Sequence, residues 1–142
     1  MASGYGALAI VLSSIVVAGW GYLRLRQHIA LRPFLLRACQ KQKWITEFGA
    51  NHAAAIDRFL DVFCDAFNFP KRHKFQLSPD DGISAFYQNY YIKGEADCLE
   101  HTEYFLMVED MFSLKLPANL TVDWTLGRLL RLILDPAQDA TH

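Results

Sequence analysis

Cys98 and His101 stand three residues apart at the head of an acidic stretch, Asp97–Cys98–Leu99–Glu100–His101–Thr102–Glu103. A thiol at a helix start with an imidazole one turn on can support acyl or disulfide exchange, because the positive end of a helix lowers a thiol pKa. Asp97 and Glu100 oppose that chemistry, since negative charge beside a thiol disfavours the thiolate. An unreactive small residue at a helix start is the plainer alternative. Nothing else in the chain has catalytic spacing: there is no Gly-rich phosphate loop, no H-E-x-x-H and no G-x-S-x-G. The three cysteines, Cys39, Cys64 and Cys98, are odd in number and far apart, and the five histidines are scattered singly. No pair has metal-ligand spacing. The expectation is a reducing compartment, no metal, no cofactor and no enzyme.

The element that positions Cys98 is a helix. Tyr104/Phe105, Val108 and Met111/Phe112 recur at the spacing of one buried face. Glu100, Glu103, Glu109 and Asp110 flank it. Asp97 precedes the helix, where a short carboxylate accepts backbone N–H bonds and complements the helix dipole. Pro117 closes a short extended exit. Leu99, Thr102 and Leu106 form a second, smaller strip at i, i+3 and i+7. Rimmed by Glu100, Glu103, Glu109 and Asp110, this strip suits a partner with a basic patch: charge steers and apolar contact holds. The bland reading is that Leu99 and Leu106 complete the core and the acids serve solubility.

The stretch 97–117 resembles the second helix of acyl carrier proteins, whose signature is Asp-Ser-Leu at the head of an acidic helix ending before a proline. Asp97, Leu99, Glu103, Glu109, Phe112 and Pro117 match it. Cys98 stands where the carrier serine would be, and that serine holds the phosphopantetheine arm. The resemblance implies a carrier-like all-α bundle over residues 52–134, and the cysteine argues against the carrier chemistry. The chain is also similar to a divergent group of bacterial acyl-carrier-like proteins.

Ahead of that domain, Tyr5–Leu23 is 19 residues without a formal charge. At about 1.5 Å per residue it matches a bilayer core of about 30 Å. Met1–Gly4 lacks the basic start of a signal peptide. The reading is an uncleaved single-pass anchor over 1–23. Ser13 and Ser14 are tolerable there because a helical hydroxyl bonds back to its own carbonyls. Small residues at Ala9, Ser13, Ser14 and Ala18 also permit close approach of another membrane helix.

Charge is segregated. Residues 24–43 hold Arg24, Arg26, Arg32, Arg37, Lys41 and Lys43 and no acid. From residue 44 onward eight Lys/Arg face all fifteen acids, a net of −7. A basic collar after an apolar run places the C-terminal side in the cytoplasm, here at the inner membrane. Residues 24–51 read as a basic connector, with Pro33 kinking or restarting the helix. Arg24, Arg26, Arg32 and Arg37 suit an anionic lipid surface better than nucleic acid.

Within 52–134, Ile56, Phe59/Leu60, Phe63 and Phe67 make a helical stripe, with Asp57, Asp61 and Asp65 on the other side. Residues 71–96 read as a long link, with Lys71–Lys74 solvated or touching the membrane surface; Leu77–Ile83 resembles the carrier-protein approach to the second helix, which implies an apolar core plug there. Phe86, Tyr87, Tyr90 and Tyr91, in an aromatic insert at 84–92, read as extra core cover or as an exposed contact patch. A last helix runs from an N-cap at Thr121 along Val122, Leu126, Leu129/Leu130 and Ile133. Residues 135–142 are a tail. The functional expectation is a membrane-anchored, non-enzymatic adaptor or accessory subunit that binds a membrane protein or cytoplasmic enzyme. The alternative is a membrane-tethered acyl or peptidyl carrier loaded on Cys98.

Overall fold

The structure, a computed structural model, describes the backbone of residues 3–90, 99–118, 120–121 and 123–135. It describes their side chains except at 3–9, 23–24, 26–28, 30, 87–90 and 99–101. Among the described residues there is no strand, and the fold is all-α. The helices are α1 (Ser3–Leu35), α2 (Lys41–Phe48), α3 (Ala53–Ala66), α4 (Ile83–Tyr90), α5 (Leu99–Phe112) and α6 (Leu126–Leu134). Short 3-10 turns occupy Ala50–His52 and Lys71–Gln76. The chain divides into two compact units, Met1–Pro33 and Phe34–His142.

In the first unit, Ile10, Val11, Leu12, Ile15, Val16, Val17, Trp20 and Tyr22 are all exposed. These positions fall on every side of a helix. The Ser13 and Ser14 hydroxyls donate to the Ile10 carbonyl at 2.9 and 2.8 Å, so neither needs water. The expected spanning anchor is corrected in one respect. Among the described residues no helix is long and apolar enough to cross a membrane. The side chains described begin at Ile10, and Gly19, Trp20, Gly21 and Tyr22 dilute the aliphatic run. Pro33 does not restart a helix; it lies in the last turn of α1, which ends two residues later.

The second unit begins at Phe34, not near residue 52. Residues 34–51 are therefore not a loose connector. Trp44 of α2 is fully buried, and its indole Nε1 donates to the Leu77 carbonyl at 2.8 Å. Leu77 is itself fully buried, as the sequence suggested for a core plug. The Asp81 carboxylate accepts from the Ser78 amide at 2.6 Å and from Arg37 Nη1 at 2.7 Å. Lys43 reaches Asp80 and the Ser78 hydroxyl. The segment 77–83 thus binds residues 37–44 on one side.

On its other side the same segment sets the start of α6. Gly82 bridges Thr125, the Ile83 amide donates to the Trp124 carbonyl and the Leu126 amide to Asp81. These bonds hold Thr125 extended, so the helix starts at Leu126 rather than directly after Thr121. Thr125 is the N-cap, its hydroxyl accepting from the Arg128 amide at 3.1 Å. Gly127 lies against Pro79, where a Cβ would fall 2.9 Å from the Pro79 Cβ and carbonyl oxygen. Only glycine permits that approach.

The core is aromatic. The α3 stripe of Ile56, Phe59, Leu60, Phe63 and Phe67 is buried as its period required, and Val62 and Cys64 widen it. Tyr104 of α5 crosses Phe63 edge-on at 5.4 Å and meets Phe67 at 5.5 Å. Phe86 of α4 packs on Phe34, Phe63 and Phe67 at 5.0, 4.9 and 5.4 Å. Phe86 is therefore core cover. The side chains of Tyr87 and Tyr90, and all of Tyr91, lie outside the described residues. Each such ring contributes about 1.5–3 kcal/mol by burial, and favourable ring pairs about 0.5–1.5 kcal/mol more.

The acids on the outer side of α3 are paired with Lys71 and Lys74, which makes these two lysines structural rather than merely solvated. Lys74 lies 2.8 Å from both Asp57 and Asp61, and Lys71 lies 2.8 Å from Asp65. Burial works against the Lys74 charge, but the hydrogen bonds it donates to the Asp57 and Asp61 carboxylates, together with their charge, outweigh it and its pKa is raised.

Two core substitutions should act in opposite directions. Trp44→Phe leaves the buried Leu77 carbonyl without its donor and should lower stability by about 1–3 kcal/mol. Tyr104 is fully buried, and its hydroxyl has no hydrogen-bond partner among the described residues. Tyr104→Phe should therefore raise stability by about 1 kcal/mol. Urea unfolding of the two variants and the parent measures both signs.

Candidate functional site

α5 is two-faced. Tyr104 and Val108 are fully buried against the aromatic core. Thr102, Glu103, Leu106 and Asp110 lie on the outward face, and Leu106 is 58% exposed. Leu106 thus does not complete the core. Glu103, Leu106 and Asp110 follow one another at three and four residues, so they share one face. Met111, expected on the inner side, is 46% exposed, and Phe112 is half-buried, so the last turn is less covered.

The acids of the second unit divide into two groups. Glu47, Asp57, Asp61, Asp65, Asp80, Asp81 and Glu109 each form an ion pair. Glu103, Asp110, Asp123 and Asp135 have none among the described residues, and of these Glu103 and Asp110 are on α5. Two unpaired carboxylates therefore stand one turn to either side of an exposed leucine.

Glu109 braces the exit from α5. Its Oε1 accepts from the Leu116 amide at 2.8 Å, and its Oε2 lies 3.3 Å from Lys115 Nζ. Its backbone carbonyl accepts from the Leu114 amide at 3.1 Å. With Ser113 in the left-handed region at φ 51°, the chain folds back beside α5. A groove of about 460 Å³ results, lined by Leu106, Glu109, Asp110, Ser113, Leu114 and Lys115. The sequence reading missed Ser113, Leu114 and Lys115. The signal for them was faint: an acid six residues before a lysine, ahead of Pro117.

Asp97 and Cys98 lie outside the described residues, as do the side chains of Leu99, Glu100 and His101. The two described cysteines differ in their surroundings. Cys64 is buried, and burial together with Asp61 pushes its thiol up to about 12. Cys39 is exposed. Among the described residues no group of three or more His, Cys, Asp or Glu could hold a metal ion.

Of the basic collar, Arg32 is exposed and the Arg24 and Arg26 side chains lie outside the described residues. Arg37 is engaged inside the domain by Asp81 at 2.7 Å, and its guanidinium lies over Phe34 at 5.5 Å. That pairing takes it away from a lipid headgroup.

The Leu116 amide bond, aided by Lys115, holds the Glu109 pKa below the usual glutamate value. A carboxylate with a depressed folded-state pKa contributes stability above its unfolded pKa and loses it as pH falls through the folded value. Acid titration should therefore loosen the 114–116 segment below the ordinary glutamate range. Protection of the Leu116 amide, relative to its intrinsic exchange rate at each pH, should fall on acidification in the parent chain. In Glu109→Ala, exchange should be fast already at neutral pH.

Comparison with known proteins finds no matching family model, no matching curated protein and no matching solved structure.

Proposed function

We propose that the chain is a membrane-associated, non-enzymatic adaptor, or accessory subunit of a membrane complex. Its helical domain, Phe34–His142, binds a partner protein through the outward face of α5. The observation that carries this reading is Leu106, more than half exposed between two carboxylates without ion-pair partners among the described residues. An exposed leucine in an acidic rim suits a partner patch that is apolar at its centre and basic around it. The all-helical fold is compatible with the carrier-like module that the sequence resembles.

The membrane part rests on α1. Its aliphatic side chains from Ile10 to Val17 are exposed all round, and its serine hydroxyls are satisfied within the helix. Such a surface suits lipid. The sequence extends the uncharged run back to Tyr5 within the same helix. Charge asymmetry favours single-pass insertion in the inner membrane with the helical domain on the cytoplasmic side.

Reversing the rim charges tests the binding face. Glu103→Lys with Asp110→Lys should leave the far-UV circular dichroism unchanged. It should weaken co-purification of the partner from native membranes by at least about tenfold, because like charges then meet. Undiminished co-purification, or a parent chain that purifies alone, would reject the surface. Alkaline carbonate extraction tests α1. The parent should stay with the membrane pellet, and Leu12→Asp with Val16→Asp should move to the supernatant.

A further inference from the structure

The groove beside α5 carries more than a generic preference for basic partners. Glu103 and Asp110 are seven residues apart on one helix. Two turns of helix separate them by about 10 Å along the axis. Leu106 lies between them. The far wall is the 113–115 segment, held in place by Glu109, which contributes Leu114 as a second apolar group. The cation on this wall, Lys115, is already paired with Glu109. The outward face of α5 thus presents a fixed pattern over two helical turns, Glu103, Leu106, Asp110, and the groove flanks its second half from Leu106 to Asp110.

A pattern with helical spacing is matched best by another helix laid alongside. Cations at i and i+7 fall on the same side of a helix, and a residue at i+3 or i+4 falls between them. An extended strand advances about 3.3 Å per residue, so two cations about 10 Å apart would be about three residues apart and would point to opposite faces. Resting on the adaptor reading above, we propose that the outward face of α5, with the groove beside it, takes one face of a partner helix carrying Lys or Arg at two positions seven residues apart, with a leucine-sized side chain midway. The two cations pair with Glu103 and Asp110, and the apolar side chain enters between Leu106 and Leu114.

Two synthetic helical peptides of identical composition test this with the full-length chain in detergent micelles. Both are alanine-based and carry two arginines and one leucine. In the first, the arginines are seven residues apart with the leucine midway; in the second, they are five residues apart and so fall on different sides. The first should bind about tenfold more tightly than the second, the amount expected when one charge-assisted contact is lost. Glu103→Gln with Asp110→Gln should abolish that preference. If both peptides bind equally and both weaken on neutralising the two carboxylates, the spacing inference falls and the α5 reading stands. If neutralisation changes nothing, or neither peptide binds, the α5 reading falls with it.

Discussion

One buried hydrogen bond, from the Trp44 indole to the Leu77 carbonyl, fixes the arrangement on which the helical domain depends. Both groups are fully covered, so no water can replace either partner. Around that bond the segment 77–83 becomes a junction. Asp81 ties it to Arg37, Asp80 and Ser78 tie it to Lys43, and Pro79, Asp81, Gly82 and Ile83 tie it to the start of α6. A short irregular segment can hold helices together when its backbone groups bond to both sides, as the Leu77 carbonyl does to Trp44 and the Pro79 and Asp81 carbonyls do to the start of α6. With the junction set, the aromatic rings of α3, α4 and α5 close over one another, and Tyr104 fixes which side of α5 faces inward.

That orientation decides what α5 offers to the outside. The domain uses most of its described acids internally, as ion pairs with lysines and arginines of neighbouring segments. Each surface pair contributes at most about 1 kcal/mol, but each also removes a charge from display. Glu103 and Asp110 are on display, with Leu106 between them. Glu109, adjacent in sequence to Asp110, is turned to a different use and braces the exit from the helix. Neighbouring acids of one helix thus separate into a structural and an outward-facing set, because successive helical residues point about 100° apart.

The long amphipathic helices were legible in the sequence because their cores are built from single-helix periodicity. Ile56 to Phe67 and Tyr104 to Val108 show it without ambiguity. What periodicity does not encode is a bond across a long sequence interval. Trp44 looked like part of a basic connector because its partner, Leu77, lies 33 residues away. Thr121 and Thr125 both precede leucine-rich runs, and only the pairing of Gly82 with Thr125 chooses between them. Glu109 looked like its acidic neighbours because its acceptor role depends on a turn at Ser113 that no residue type announces. The exposed strip was legible as a possibility, and the burial of Tyr104 turned Leu106 outward.

The most direct measurement is site-specific photo-crosslinking at Leu106 in native membranes, with an identical probe at exposed Arg58 as the control. If the outward face of α5 is the docking surface, illumination yields one discrete adduct from position 106 and none from position 58. No adduct at 106, or the same adducts from both positions, contradicts a binding role for α5.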